Sequence, residues 1–127
     1  MARILVVEDN ITNLALASVL LAKAGHDVIQ AEDAKIGLEK SLCESPDLIL
    51  MDVQLPGMSG LEATAQLKAN PKTKTIPIIA VTAQAMNGDE ARCRAVGCDG
   101  YLAKPLSYKA LWTTVQMHLE KSQTKQA

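Results

Sequence analysis

The chain carries no phenylalanine, and Tyr101, Tyr108 and Trp112 are its only aromatic residues in 127 positions. Its core must therefore be aliphatic, and a nucleic-acid surface built on stacked aromatics is disfavoured. The cysteines Cys43, Cys93 and Cys98 are odd in number and none sits in a C-x-x-C pair. Neither a disulfide framework nor a zinc site is indicated. Each is expected as a small buried or half-buried hydrophobe in a reducing cytoplasm. Excess charge of either sign is missing too, since 13 basic and 14 acidic residues leave a net charge of −1. That balance gives no footprint for DNA, RNA or an acidic membrane surface. No apolar run approaches a membrane span, and no charged-then-apolar leader precedes the first strand pattern. Neither G-x-x-x-x-G-K-[ST] nor a G-x-G-x-x-G after the first strand is present, which disfavours nucleotide binding in those modes.

What the sequence does contain is alternation. At 48% hydrophobic and 21% charged residues it suits one ordinary globular domain. Arg3-Ile-Leu-Val-Val7 is a buried strand pattern that stops abruptly in Glu8-Asp9-Asn10. Residues 11–24 lack Gly and Pro, and Gly25 closes them as a helix stop. That helix has two apolar stripes. Ile11, Leu14, Ala17 and Leu21 can face a sheet; Leu16, Val19 and Leu20 need a neighbouring helix or a partner.

Residues 27–31 are more polar, as in an edge strand. Asp33 caps a second helix to about Glu44, with Ile36, Leu38, Leu42 and Cys43 as its apolar residues. Leu48-Ile-Leu-Met-Asp52 is a continuous apolar run into an acid, the mark of a strand buried on both faces. The Pro56-Gly57 turn follows, then a third helix opened by Ser59 with Glu62 as capping partner and ended near Asn70-Pro71.

Residues 76–82 form a fourth strand pattern. A charged segment then runs to Gly97 with Met86 and Val96 as its few large apolar residues, a weakly anchored helix. Residues 99–103 make a short fifth strand stopped by Lys104-Pro105. Ser107 caps a last helix with Leu111, Val115 and Leu119 on one face and Trp112 beside them. His26 and His118 are expected at the surface or partly buried, and not in catalysis. The organisation is one domain over residues 1–121 and a polar tail over 122–127. Five strand–helix alternations with short connections mean an α/β fold, a doubly wound parallel sheet with helices on both faces.

Parallel strands put their carboxyl ends along one edge, where such sheets place their ligands. Glu8 and Asp9 follow the first strand, Asp52 ends the third, Thr82 the fourth, and Lys104 the fifth. Each alone has a dull explanation as a cap or a solvated charge; their coincidence at one edge does not. Clustered carboxylates repel unless a cation sits among them. Oxygen donors without His or Cys suit a hard ion, most naturally Mg²⁺ shared with a phosphate. An aspartate, a magnesium ion and an opposing lysine are the equipment of phosphoryl transfer, with aspartate able to act as nucleophile.

Val6-Val-Glu-Asp9-Asn10, Leu50-Met-Asp52-Val-Gln-Leu-Pro-Gly-Met-Ser-Gly60, Val81-Thr82-Ala83 and Tyr101-Leu-Ala-Lys104-Pro105 occur in order along the chain. Together they resemble the receiver domains of two-component response regulators, the chemotaxis-regulator-like family. The resemblance implies a flavodoxin-like (βα)5 sheet in the order 2-1-3-4-5. It implies that Asp52 is the phosphoacceptor, taking its group from a phosphohistidine. Mg²⁺ is then held by Glu8, Asp9, Asp52 and the backbone carbonyl of Gln54. Thr82 and Lys104 contact the phosphoryl group, Thr82 and Tyr101 switch, and Lys104-Pro105 is a cis peptide.

Residues 51–56, 81–90 and 97–105 look like the DivK-type stand-alone receivers, and receivers at the ends of hybrid histidine kinases are similar too. Gln54 and Gln84 lie at positions thought to tune dephosphorylation. The expectation is a single-domain cytoplasmic phosphorelay switch rather than an enzyme, a monomer or weak dimer. Its partners are a sensor histidine kinase or histidine phosphotransfer protein, and a target met through the fourth helix, fifth strand and fifth helix. Met1 just before the first strand and the short tail favour a stand-alone protein; a relay or excised receiver is the alternative. A haloacid-dehalogenase-like phosphatase fits worse, because its D-x-D pattern meets Gln54 here. The second stripe of the first helix docks either the kinase side or the last helix.

Overall fold

A computed structural model describes residues 2–83 and 89–126 of the chain. Ten elements alternate without exception: β1 (Arg3–Val7), α1 (Ile11–Lys23), β2 (Asp27–Ala31), α2 (Ala34–Glu44), β3 (Leu48–Asp52), α3 (Gly60–Ala69), β4 (Ile78–Thr82), α4 (Asp89–Ala95), β5 (Gly100–Ala103) and α5 (Tyr108–Gln126). The strands form one parallel sheet in the order β2-β1-β3-β4-β5, as the resemblance implied. Residues 122–126, read from sequence as a polar tail, continue α5. Met86 and Gln84 lie outside the described residues. Among the described residues no helix is long and apolar enough to cross a membrane.

The continuous apolar runs explain the layering, because successive side chains point to opposite faces of a strand. Ile4, Val6, Leu48, Leu50, Ile79 and Val81 meet Leu14, Ala17 and Leu21 of α1 and Leu111, Val115 and Leu119 of α5. On the other face Leu5, Val7, Ile49, Met51 and Ile78 meet Ala34 of α2 and Ala63 and Leu67 of α3. A third, smaller cluster of Val53, Ala80, Cys93 and Cys98, with Leu61, Val96 and Tyr101 packed against it, holds α4. Every residue of β3 and β4 is buried, whereas the edge strand β2 is mostly half-exposed.

The helix starts follow their caps. Asn10, Asp33 and Ser59 each accept a hydrogen bond from a first-turn amide, those of Asn13, Ile36 and Glu62. Gly25 takes a positive φ of 91°, consistent with a helix stop.

Several side chains depart from the sequence reading. Ile11 is 77% exposed, whereas Leu14, Ala17 and Leu21 of the same stripe are buried. On α2 the buried residues are the small ones, Ala34, Gly37 and Ser41. A Cβ at Gly37 would stand 2.8 Å from Val7 Cγ2, so the helix lies too close to β1 for bulk. Leu42 and Cys43, about 100° and 200° further round from Ser41, are consequently exposed. His118 is buried, not superficial: it shares the inward face of α5 with Leu111 and Val115, over Gly100.

Candidate functional site

Register brings the expected residues together. Val7 pairs with Met51 and Asp52 with Val81, so Glu8, one residue past β1, comes level with Asp52. Thr82 pairs with Ala103, and the next amide, Lys104 N–H, donates to Thr82 O at 2.8 Å. The backbone of β4 therefore places the lysine. Asp52 is 3% exposed and Glu8 5%, while Asp9 stands in solvent at the rim. Carboxylate oxygens of Glu8, Asp9 and Asp52 all lie within 4.8 Å of one another.

Lys104 Nζ lies 2.6 Å from Glu8 Oε1 and 3.2 Å from Asp52 Oδ2. One ammonium is thus shared by two buried acids. Burial and the neighbouring Asp52 push the Glu8 carboxyl above its ordinary value, against the opposing pull of Lys104. Burial works to lower the Lys104 pKa, but the two carboxylates outweigh it and raise it. The cluster is therefore short of positive charge, and its donors are all hard oxygens. Both features fit a magnesium ion held by Glu8, Asp9 and Asp52. The Lys104–Pro105 peptide is cis.

Asn10 and Gly60 were not singled out from sequence, and Gln54 contributes an amide besides the carbonyl expected of it. Asn10 caps α1, and its own N–H donates to Glu8 Oε2 at 3.2 Å, fixing that carboxylate. A cap-type residue directly after two acids was the available signal. The Gln54 N–H donates to Asp52 Oδ1 at 3.1 Å and orients the aspartate from the loop side. At Gly60 a Cβ would fall on the carbonyl oxygen of Asp52, and the Gly60 N–H donates to Val53 O at 3.0 Å. The start of α3 is thereby pressed against the strand end that carries the acid. Thr82 is buried at the end of β4, and Tyr101 is half-buried opposite Ala80, against the cluster that holds α4.

The sequence profile of the response regulator receiver domain matches residues 4–116. The polar-differentiation response regulator DivK of Brucella anthropi is 42% identical over 116 residues, covering 91% of this chain and 94% of that protein. Among solved structures, a CheY-like response regulator receiver domain protein of Methanospirillum hungatei superposes with a TM-score of 0.91 at 27% identity, covering 98% of both chains. The receiver domain of a sensor histidine kinase of Pseudomonas aeruginosa, with magnesium coordinated in its active-site cleft, gives 0.87 at 34% identity. That match covers 94% of this chain and 98% of the other.

The chain belongs to the response regulator receiver domain family, whose members are phosphorelay switches of two-component systems. Members of the family bind Mg²⁺ in an acidic pocket and interact with histidine kinases or phosphotransfer proteins and with downstream targets.

Proposed function

We propose that this protein is a single-domain response regulator that accepts a phosphoryl group on Asp52 from a phosphohistidine and changes its protein contacts in response. One observation carries the reading: a buried aspartate at a strand end has two acids and a lysine ammonium around the same point. Such a group of charges serves phosphoryl transfer better than it serves folding, since burying like charges together is costly. Asp52 attacks phosphorus through a carboxylate oxygen, the P–N bond breaks, and the imidazole leaves. Glu8, Asp9, Asp52 and the carbonyl of Gln54 are the residues that would hold magnesium, which supplies positive charge against the phosphoryl oxygens. Lys104 moves from its ion pairs onto those oxygens as a compact cation, and Thr82 donates its hydroxyl.

The acyl phosphate carries about −1.5 to −2 charges at neutral pH where the carboxylate carried one. Thr82 and Tyr101 lie on the path from that charge to α4, β5 and α5, the surface assigned to the target. The kinase side meets α1, where Leu16 and Val19 are exposed while Leu20 packs inward and its carbonyl accepts from Trp112 Nε1. The receiver domain occupies residues 1–121, and the chain acts as a switch, not as a turnover enzyme. A receiver excised from a hybrid kinase is the second reading, favoured by the 34% identity to the Pseudomonas kinase receiver.

Incubation with acetyl phosphate and Mg²⁺ tests the assignment. Intact-mass analysis should show one added phosphoryl group per chain, lost in Asp52→Asn and on chelation. Continuous hydrolysis of a phosphate ester would instead support a phosphatase.

A further inference from the structure

Cys93 and Cys98 have no part in the phosphotransfer site, yet the fold seats them together. The amide of Gly97 donates to Arg94 O at 3.0 Å and that of Cys98 to Cys93 O at 3.1 Å. Gly97, between them, takes a positive φ of 105°. These paired bonds are the Schellman ending of a helix, and that ending brings the side chains at its two extremes into contact. Here the extremes are two thiols. Both lie in one small cluster, Cys93 fully buried and Cys98 7% exposed, with Tyr101 packed against it.

We propose that Cys93 and Cys98 form a redox pair that closes to an intramolecular disulfide. A disulfide needs neighbouring Cβ atoms, and this helix ending sets Cys93 and Cys98 side by side in one cluster. The closed fold guards the pair: burial, and then the adjacent Cys93, push the Cys98 thiol up to about 12, so little thiolate forms there. Access comes through α4. Among residues 90–95 Cys93 is the single buried side chain, so few contacts oppose local opening of this seven-residue helix. When α4 lifts, both thiols meet solvent and a peroxide-class oxidant. With hydrogen peroxide, two S–H bonds and the O–O bond break, one S–S bond forms, and the oxygens leave as two waters. The bridge then pins α4 to the connection before β5, three residues before Tyr101.

The test uses the full chain carrying Cys43→Ser, which removes the exposed thiol of α2. After peroxide treatment, intact mass should fall by two hydrogens and recover with a dithiol reductant. Trypsin cuts after Arg92 and Arg94, so fragments bearing Cys93 and Cys98 should stay joined until reduced. Cys98→Ser in the same background should abolish both signals. Amides of α4 should exchange about tenfold more slowly in the oxidised chain. Separate peptides carrying sulfinic or sulfonic groups, or thiols left unchanged, overturn the pair. A bridge that leaves α4 exchange unaltered overturns the pinning.

Discussion

The strands under Asp52 and the helix beside β5 are built in opposite ways. In β3 and β4 every side chain is buried, sandwiched between layers from two helices on one face and two on the other. In α4, over residues 90–95, one side chain is buried and the rest face water. The residues proposed to receive charge stand on the densely packed part, and the surface proposed for the response hangs from the loosely fastened part. Chemistry needs groups held to a fraction of an ångström, while a switch needs an element with a second state close in energy.

Paired truncations test that contrast most strongly. Ile49→Ala, in the middle of β3, should lower the free energy of unfolding by about 2–5 kcal/mol in urea titrations. Cys93→Ala should cost about 1 kcal/mol, with faster amide exchange confined to α4. Equal global losses would erase the distinction.

The acid cluster should sharpen it next. Because the Glu8 carboxyl is raised above 4.5 in the folded state, folding favours its protonated form. That contribution is present at low pH and is lost as pH rises from the unfolded value through the raised folded one. Glu8→Gln should therefore raise the melting temperature of the metal-free protein at about pH 7 by a few degrees, and by less at about pH 4. Added Mg²⁺ should stabilise the natural chain and shift this variant less, in the same calorimetric scan.

The smallest effect belongs to His26, at the opposite edge. Burial, and then the positive chain terminus, hold its imidazole below 6.5, and its Nδ1 accepts the Ala2 N–H at 3.2 Å. The unfolded chain thus takes the proton first. Stability is whole above 6.5 and declines as pH falls from there towards the lower folded value. His26→Gln should flatten that slope in urea midpoints without touching phosphorylation.

The fold was legible because Leu48–Asp52 and its sister runs are too continuous for anything but buried strands, and caps such as Asn10, Asp33 and Ser59 mark their helices. The residues gathered at the sheet edge followed from that topology alone. What stayed hidden depended on distances between elements. Counting large apolar residues pointed to Leu42 and Cys43 on α2, where close approach to Val7 admits only small ones. The same count passed over Cys93, the small side chain that fastens α4, and the space over Gly100 that admits His118.

The amino-terminal edge of the sheet decides where a disturbance can go. Lys68 Nζ donates to the carbonyls of Lys74 and Ile76 and to Asp99 Oδ2, which also accepts the Ile78 N–H. Arg3 reaches Glu44, and its own N–H donates to Asp47. These contacts tether the strands at their amino-terminal ends. On the proposed reading, a change at Asp52 meets strands tethered at their far ends, which favours a crosswise passage from β4 into β5 and α4. On that reading the direction of the signal follows from what is tethered.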